Sequence, residues 1–259
     1  MAKRSNKPQW VLGHHAVNAV LAINPERAIA LSVVLNPSNA QQASILETAE
    51  QFGLPVHELD KRELSRRCGS EQHQGIALEA KPKQDGGDQE LSQLIAKLTQ
   101  ADSERRPLLL ILDQVQDPHN FGACLRTADA AGADAVIVAK DNASPMTSVV
   151  QKVASGAAET MPIFRVTNLV RTMASLKQAG VWMIGTSDKA THSLYQEPLT
   201  GAVAIVMGAE GKGLRQLTEK NCDSLVSLPM AGSVVSSLNV SVATGVCLYE
   251  VVRQRSSHA

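Results

Sequence analysis

LPMAGSVVSSLNVSVATG, Leu228 to Gly245, runs for eighteen residues without a charged side chain, and its only glycines are Gly232 and Gly245. Surface loops of this length normally carry charge. An uncharged, hydroxyl-rich segment predicts backbone packed closely against another surface and hydrogen-bonded to it. From Val240 onward the apolar positions Val242, Val246, Tyr249 and Val252 recur at helical spacing, which predicts one face of a C-terminal helix. The stretch therefore reads as a buried polar loop feeding the last helix. A tight turn before a core helix and a ligand site both fit it.

Working outward, apolar runs bounded by turn residues recur from Pro107: Leu108–Leu112, Ala135–Ala139, Ile163–Val166, Val181–Ile184, Val203–Met207 and Leu225–Leu228. Helical stretches separate most of them, at Asn120–Ala131, Thr147–Ala154, Leu169–Ala179 and Leu214–Asn221. Strands apolar on both faces that alternate with helices predict an α/β domain with a parallel sheet covered on both sides. In such sheets ligands bind beyond the carboxyl ends of the strands. The segments after Leu112, Met207 and Leu228 are thus the places where a site is expected.

The first eighty residues have another rhythm. A helix is expected at His14–Leu21, a strand at Ala28–Leu35, a helix at Ser38–Gln51 opened by the capping pattern Ser38-x-x-Gln41, strands at Val56–Leu59 and Gly75–Ala80, and a basic helix at Lys61–Arg67. Lys81–Gly87 reads as turn-rich linker, followed by a short amphipathic helix at Leu91–Leu98 and a charged segment to Arg106. The expected division is a small domain over residues 1–80, a connection over 81–106 and a larger domain over 107–259.

Composition narrows the function classes. The chain has 25 basic and 25 acidic side chains in 259 residues, so purely electrostatic gripping of nucleic acid is not indicated. Local basic clusters do occur, at Lys3-Arg4-Lys7, Lys61-Arg62-Arg66-Arg67 and Arg105-Arg106. No apolar run approaches the roughly 20 residues that span a bilayer, and the basic N-terminus lacks the apolar core of a secretory signal. Cys68, Cys124, Cys222 and Cys247 form no Cys-x-x-Cys pair, so neither a metal centre nor a disulfide framework is expected, and a reduced cytoplasmic location fits.

The three loops at the expected sheet edge are unusual. The first carries Asp113-x-x-x-Asp117-Pro118-His119-Asn120-x-Gly122-x-x-x-Arg126, the second Gly208-Ala209-Glu210-Gly211-Lys212-Gly213, and the third is the opening stretch. Lys212 is followed by Gly213 rather than Ser or Thr, and the first strand leads to no Gly-x-Gly-x-x-Gly, so Walker and Rossmann nucleotide sites are excluded. Asp117-Pro118-x-Asn120-x-Gly122-x-x-x-Arg126, Met207-Gly208-Ala209-Glu210-Gly211-x-Gly213, and Leu228-Pro229-Met230 leading to Ser237-Leu238-Asn239-Val240-Ser241 resemble, in order, the three motifs of the SpoU family of RNA ribose 2′-O-methyltransferases. The likeness extends to His73-Gln74-Gly75-Ile76 and covers the chain from Trp10 to Arg255.

The resemblance implies more than pattern and spacing do. It implies a SPOUT catalytic domain whose C-terminal segment threads a deep trefoil knot, a feature that rules of sequence reading would not propose. It also implies S-adenosylmethionine as cofactor, held by Gly208, Leu228 and Leu238, and a catalytic set of Asn120, Arg126, Glu210, Ser237 and Asn239. Relative to the family pattern, Val234-Val235 adds one residue before Ser237, so Ser236 competes with it for the same place. The family casts Arg126 as activator of the 2′-hydroxyl, but a guanidinium with a pKa above ~12 is a poor base; bidentate phosphate binding is the alternative. Glu210 is expected to orient Arg126, or a group of a second copy.

The N-terminal domain resembles the family's ribosomal-protein-like RNA-binding module, with Arg66, Arg67, His14 and His15 as candidate RNA contacts. By the same resemblance the partners are 23S rRNA, at a guanosine of the loop that holds the P-site tRNA end, and a second copy docked through the knot and the last helix. A tRNA methyltransferase, and an RNA-binding assembly protein without turnover, are the other readings.

Overall fold

The computed structural model describes residues 8–36, 39–99 and 106–257. The basic residues Lys3, Arg4, Lys7 and Arg105, and Ser38 of the capping pattern, lie outside them. The chain divides into two compact units.

The first unit runs to Gln84 and contains β1 (Gln9–Leu12), α1 (His14–Ile23), β2 (Ala28–Val33), α2 (Ala40–Gln51), β3 (Val56–Glu58), α3 (Lys61–Cys68) and β4 (Ile76–Ala80). Its sheet has the order β1-β4-β2-β3, antiparallel except for β2 with β3. Val17, Val20 and Leu21 of α1 pack with Ile45 of α2 on Leu31, Ile76 and Leu78 of the sheet, the half-buried pattern that period-3.6 and period-2 spacing predict. The N-cap of α2 is Asn39, whose side chain accepts from the Gln42 amide at 3.1 Å. Asp60 caps α3 in the same way, and Gly69 ends it in the left-handed conformation at φ 68°.

The second unit holds Asp85–Ala154 and Met161 onward. Its elements are α4 (Asp88–Leu98), β5 (Leu108–Leu112), α5 (Pro118–Ala130), β6 (Ala135–Ala139), α6 (Ser148–Ala154), β7 (Ile163–Val166), α8 (Leu169–Gln178), β8 (Trp182–Thr186), β9 (Val203–Met207), α9 (Gln216–Lys220), β10 (Ser224–Val226) and α10 (Val240–Ser256). All six strands are parallel, in the order β10-β8-β9-β5-β6-β7. Leu109 and Ile111 of β5 face a cluster with Leu91 and Ile95 of α4 and Met173 of α8. The alternate residues Leu108, Leu110 and Leu112 are equally buried, on the face where α5 meets β6 and α10 meets β9. The expected parallel sheet covered on both sides is present.

A short helix, α7 (Ala157–Thr160), interrupts the second unit in sequence but belongs with the first. The Arg27 guanidinium donates to Glu159 at 2.6 Å, both side chains almost wholly buried, and Lys83 donates to the carbonyls of Ala158 and Glu159. The division expected from sequence is therefore drawn differently in the structure. Asp85 onward, assigned above to a connection, joins the second unit because α4 places Leu91 and Ile95 in the core under β7. Among the described residues no helix is long and apolar enough to cross a membrane.

Candidate active site

Strands β5 and β9 are neighbours in exact one-to-one register, Leu108 with Val203 through Leu112 with Met207. Their carboxyl ends therefore present the first and second motif loops side by side. The Asp113 amide continues the ladder by donating to the Met207 carbonyl at 2.8 Å.

After β5 the chain turns into α5, whose N-cap Asp117 accepts from the Asn120 amide at 2.8 Å while Pro118 occupies the first turn. This is a strong start signal for a helix, and it fixes Asn120 at the mouth. Gly122, two residues on, has a packing reason: a Cβ there would lie 2.8 Å from Val153 Cβ and 2.9 Å from the Val150 carbonyl oxygen. The motif glycine lets α5 and α6 approach.

After β9, Gly208–Gly213 closes on itself. Ala209 and Gly213 exchange amide-to-carbonyl bonds of 3.1 and 2.8 Å, and a Cβ on Gly208 would lie 2.1 Å from the Gly213 carbonyl carbon. Only glycine fits at that position. Glu210 stands at the tip of this turn.

After β10, at the sheet edge, residues 227–239 return to α10, whose N-cap Asn239 accepts from the Ser241 amide and hydroxyl at 2.9 and 2.6 Å. The Asn239 amide nitrogen then donates to the Asn120 side-chain oxygen at 2.9 Å. Asn120 donates in turn to Glu210 Oε2 at 3.0 Å. One directional chain, Ser241 to Asn239 to Asn120 to Glu210, thus joins all three motif loops. Each carboxamide accepts on its oxygen and donates from its nitrogen, so the terminal carboxylate fixes the amide orientation along the line. Ser241, inside the third motif, is the member the sequence reading did not assign a role.

Beside this chain lies a cavity of about 450 Å³, in the range of small-molecule and cofactor sites. Gly208, Leu228 and Leu238 line it, as do Glu210, Ser236 and Ser237. Leu228, Met230, Leu238 and Val240 supply apolar wall, the Gly208–Gly213 turn supplies close backbone, and Asp188, Glu210, Lys189 and Lys212 bring charge of both signs. That donor set suits a ligand with a flat aromatic ring, a cationic centre and an amino-acid end.

One expectation about the opening stretch is corrected. Residues 231–239 are exposed rather than buried, Val234 to 92%. Absence of charge marked a cavity wall, to which Ser236, Ser237 and Leu238 contribute. On α10 the expected apolar stripe faces outward, with Val242 and Tyr249 half-exposed, whereas Val240, Ala243, Thr244, Cys247 and Val251 form the buried face. Thr244 meets Cys124 of α5 there at 3.5 Å. Burial pushes the Cys124 thiol up to about 11 and the Cys247 thiol up to about 12.

Arg126 lies exposed on α5 and makes no side-chain hydrogen bond or ion pair with a described residue. Glu210 engages Asn120 instead of Arg126. In the first unit, His14 is buried and takes a hydrogen bond on Nε2 from Asn39 at 3.2 Å; with His15 it lines a separate cavity of about 300 Å³ between α1 and α2. Arg66 and Arg67 are held on Glu63 by hydrogen bonds that keep its carboxyl below the usual range. Among the described residues no group of three His, Cys, Asp or Glu side chains is placed to hold a metal.

Residues 107–249 match the SpoU rRNA Methylase family model, and residues 10–86 match the model for RNA 2′-O ribose methyltransferase substrate binding. The chain is 50% identical, over 95% of its length and 97% of the relative's, to the 23S rRNA (guanosine-2′-O-)-methyltransferase RlmB of Vibrio vulnificus. It is also 50% identical, over 97% and 99%, to the protein of the same description from Shewanella oneidensis. Among solved structures, the SpoU methyltransferase AviRb from Streptomyces viridochromogenes in complex with AdoMet matches with a TM-score of 0.76 and 22% identity, over 96% of this chain and 90% of that one. The TrmH/SpoU tRNA modifying enzyme of A. aeolicus covers 66% of this chain and 85% of its own, with a TM-score of 0.55 and 28% identity.

Proposed function

The chain belongs to the SpoU rRNA methylase family, and on that premise we propose that it methylates the ribose 2′-hydroxyl of a guanosine in 23S rRNA with S-adenosylmethionine as donor. Near-complete coverage at 50% identity to 23S rRNA (guanosine-2′-O-)-methyltransferases supports the substrate class. The observation that carries the site is the hydrogen-bonded line from Ser241 through Asn239 and Asn120 to Glu210, which itself lines the cavity.

The cofactor supplies a methyl group on a cationic sulfur. Transfer would break the carbon–sulfur bond and leave a neutral thioether, form the carbon–oxygen bond, and pass the hydroxyl proton to solvent. Gly208, Leu228 and Leu238, which line the cavity, would hold the adenosyl portion through backbone approach and apolar contact. Asn120 and Asn239, locked in orientation by Glu210 and Ser241, fix the ribose in line with the methyl, and such positioning alone contributes a large rate factor. Ser237, on the cavity wall, serves the same alignment. Arg126, whose guanidinium is a poor base, grips the neighbouring phosphate, which makes the hydroxyl easier to deprotonate.

The first unit binds the RNA, His15 and the α3 arginines contacting phosphate and His14 shaping the cavity between α1 and α2. Two copies pair through the outward face of α10, the segment over residues 227–239 threads the deep trefoil knot, and the protein works in the cytoplasm on the loop that holds the P-site tRNA end. The test is transfer of labelled methyl to in vitro transcribed 23S rRNA, with bulk tRNA beside it. Label recovered as 2′-O-methylguanosine in 23S rRNA supports this reading, and label confined to tRNA refutes it.

A further inference from the structure

We propose that Asp113 and Arg215 form a positioning pair that braces both ends of the Gly208–Gly213 turn and so sets the cavity wall and the placement of Glu210. Neither residue belongs to the hydrogen-bonded line or lines the cavity. Asp113 directly follows β5, one of the two central strands, and is fully buried. Its amide holds the entry to the turn, donating to the Met207 carbonyl at 2.8 Å. Its carboxylate holds the exit. One oxygen accepts from the Arg215 amide at 3.0 Å and the other from Arg215 Nε at 2.7 Å.

A buried carboxylate is costly unless paired and hydrogen-bonded. This one meets both conditions with a single residue, one that sits seven positions after the first cofactor-facing glycine. The turn's internal bonds join Ala209 to Gly213 and fix its shape, not its attachment; the Asn120–Glu210 bond holds its tip, and the Asp113–Arg215 pair holds its two ends. Gly208, pressed against Gly213 and Leu214, leaves no slack, so movement of the exit is transmitted to the entry. Asp113 also lies four residues before Asp117, the N-cap that fixes Asn120. One residue therefore registers the first motif against the second, where Asn120 meets Glu210 at 3.0 Å. Loss of the pair leaves each motif intact and misaligns them.

The inference rests on the reading that this turn faces the cofactor, and the test separates the two. Backbone amide exchange over residues 207–216 of the full-length protein without ligand reports the brace itself. Titration with S-adenosylmethionine reports its consequence. Arg215→Gln, whose side chain is 42% exposed, is expected to fold and to raise exchange across the turn at least tenfold. Cofactor affinity is expected to fall about tenfold, with the KM for RNA unchanged. Asp113→Asn is expected to act alike, and the double variant to be no worse than the more affected single one, since both remove one interaction. Arg215→Lys, which keeps charge but not the planar fork, should recover only part. Exchange and affinity within twofold of the parent in Arg215→Gln, or effects that multiply in the double variant, would overturn the proposal. If the parent protein binds no S-adenosylmethionine the functional reading fails, while the exchange data still decide the brace.

Discussion

Asn120 uses both ends of one carboxamide, accepting from Asn239 and donating to Glu210. Its alanine variant should lower kcat about 100-fold, the order of loss that misplacement of a reacting group produces. Asn239→Ala should do the same, and the pair together should lose little more, because residues acting as a unit are not additive. Arg126→Ala should behave differently, lowering kcat and also raising the KM for RNA about tenfold or more, in keeping with about 1.5–3 kcal/mol for a hydrogen bond to a charged group. Steady-state kinetics of the three variants separate these roles. The thiols give a second check. With Cys124 and Cys247 pushed up by burial to about 11 and about 12, almost no thiolate exists at roughly pH 8, and thiolate is the reactive form. Mass spectrometry should find both unmodified by iodoacetamide in the native protein and modified after denaturation. At this scale the motif residues were legible because their spacing is specific. Asp113 and Arg215 were not, since they meet across 102 residues, and Ser241 was not, since its bond to Asn239 two positions away matters only once Asn239 has reached Asn120.

At the scale of elements, strands β5 to β9 could be read because nearly every position is apolar, as a sheet covered on two faces requires. β1 could not, being four residues with one buried side chain, and the start of α4 was hidden by its polar first turn, Asp88-Gln89-Glu90. The exposure of residues 231–239 was misread for a physical reason: a cavity wall and a core segment both exclude charge. His73 ties α3 to β4. Its Nδ1 accepts from the Gly75 amide and its Nε2 meets the Ser65 hydroxyl, which itself donates to the Lys61 carbonyl, so the ring is neutral with its proton on Nε2. Burial, with Lys61 nearby, lowers its pKa. In the unfolded chain a histidine protonates near about 6.5, so below that pH the unfolded state takes up a proton that the folded state resists. Stability of the first unit should therefore fall as pH drops through that value. Trp10 and Trp182 are the two tryptophans, so Trp182→Phe leaves Trp10 in β1 as the probe: its unfolding transition should move down between roughly pH 7.5 and 5.5, and His73→Asn should flatten that dependence.

For the whole molecule, the two-unit division could be anticipated, but not the membership of residues 155–160, which rests on an Arg27–Glu159 pair 132 positions apart. Arg27→Ala leaves Glu159 buried and unpaired and should cost the first unit about 3–5 kcal/mol, visible as lost amide-exchange protection in α1 and α7. The outward stripe of α10, Val242 and Tyr249 half-exposed, is where pairing of two copies is expected, since exposed apolar patches mark interaction surfaces. Light scattering after chromatography should give a dimer for the parent and a monomer for Val242→Asp with Tyr249→Asp. The central claim concerns what the three motif loops do together, and its most direct test is methyl transfer from labelled S-adenosylmethionine to 23S rRNA by the parent and by Asn120→Ala. The account predicts 2′-O-methylguanosine in 23S rRNA from the parent and about one hundredth of that rate from the variant. Equal rates from both proteins, or label in tRNA and none in 23S rRNA, would contradict it.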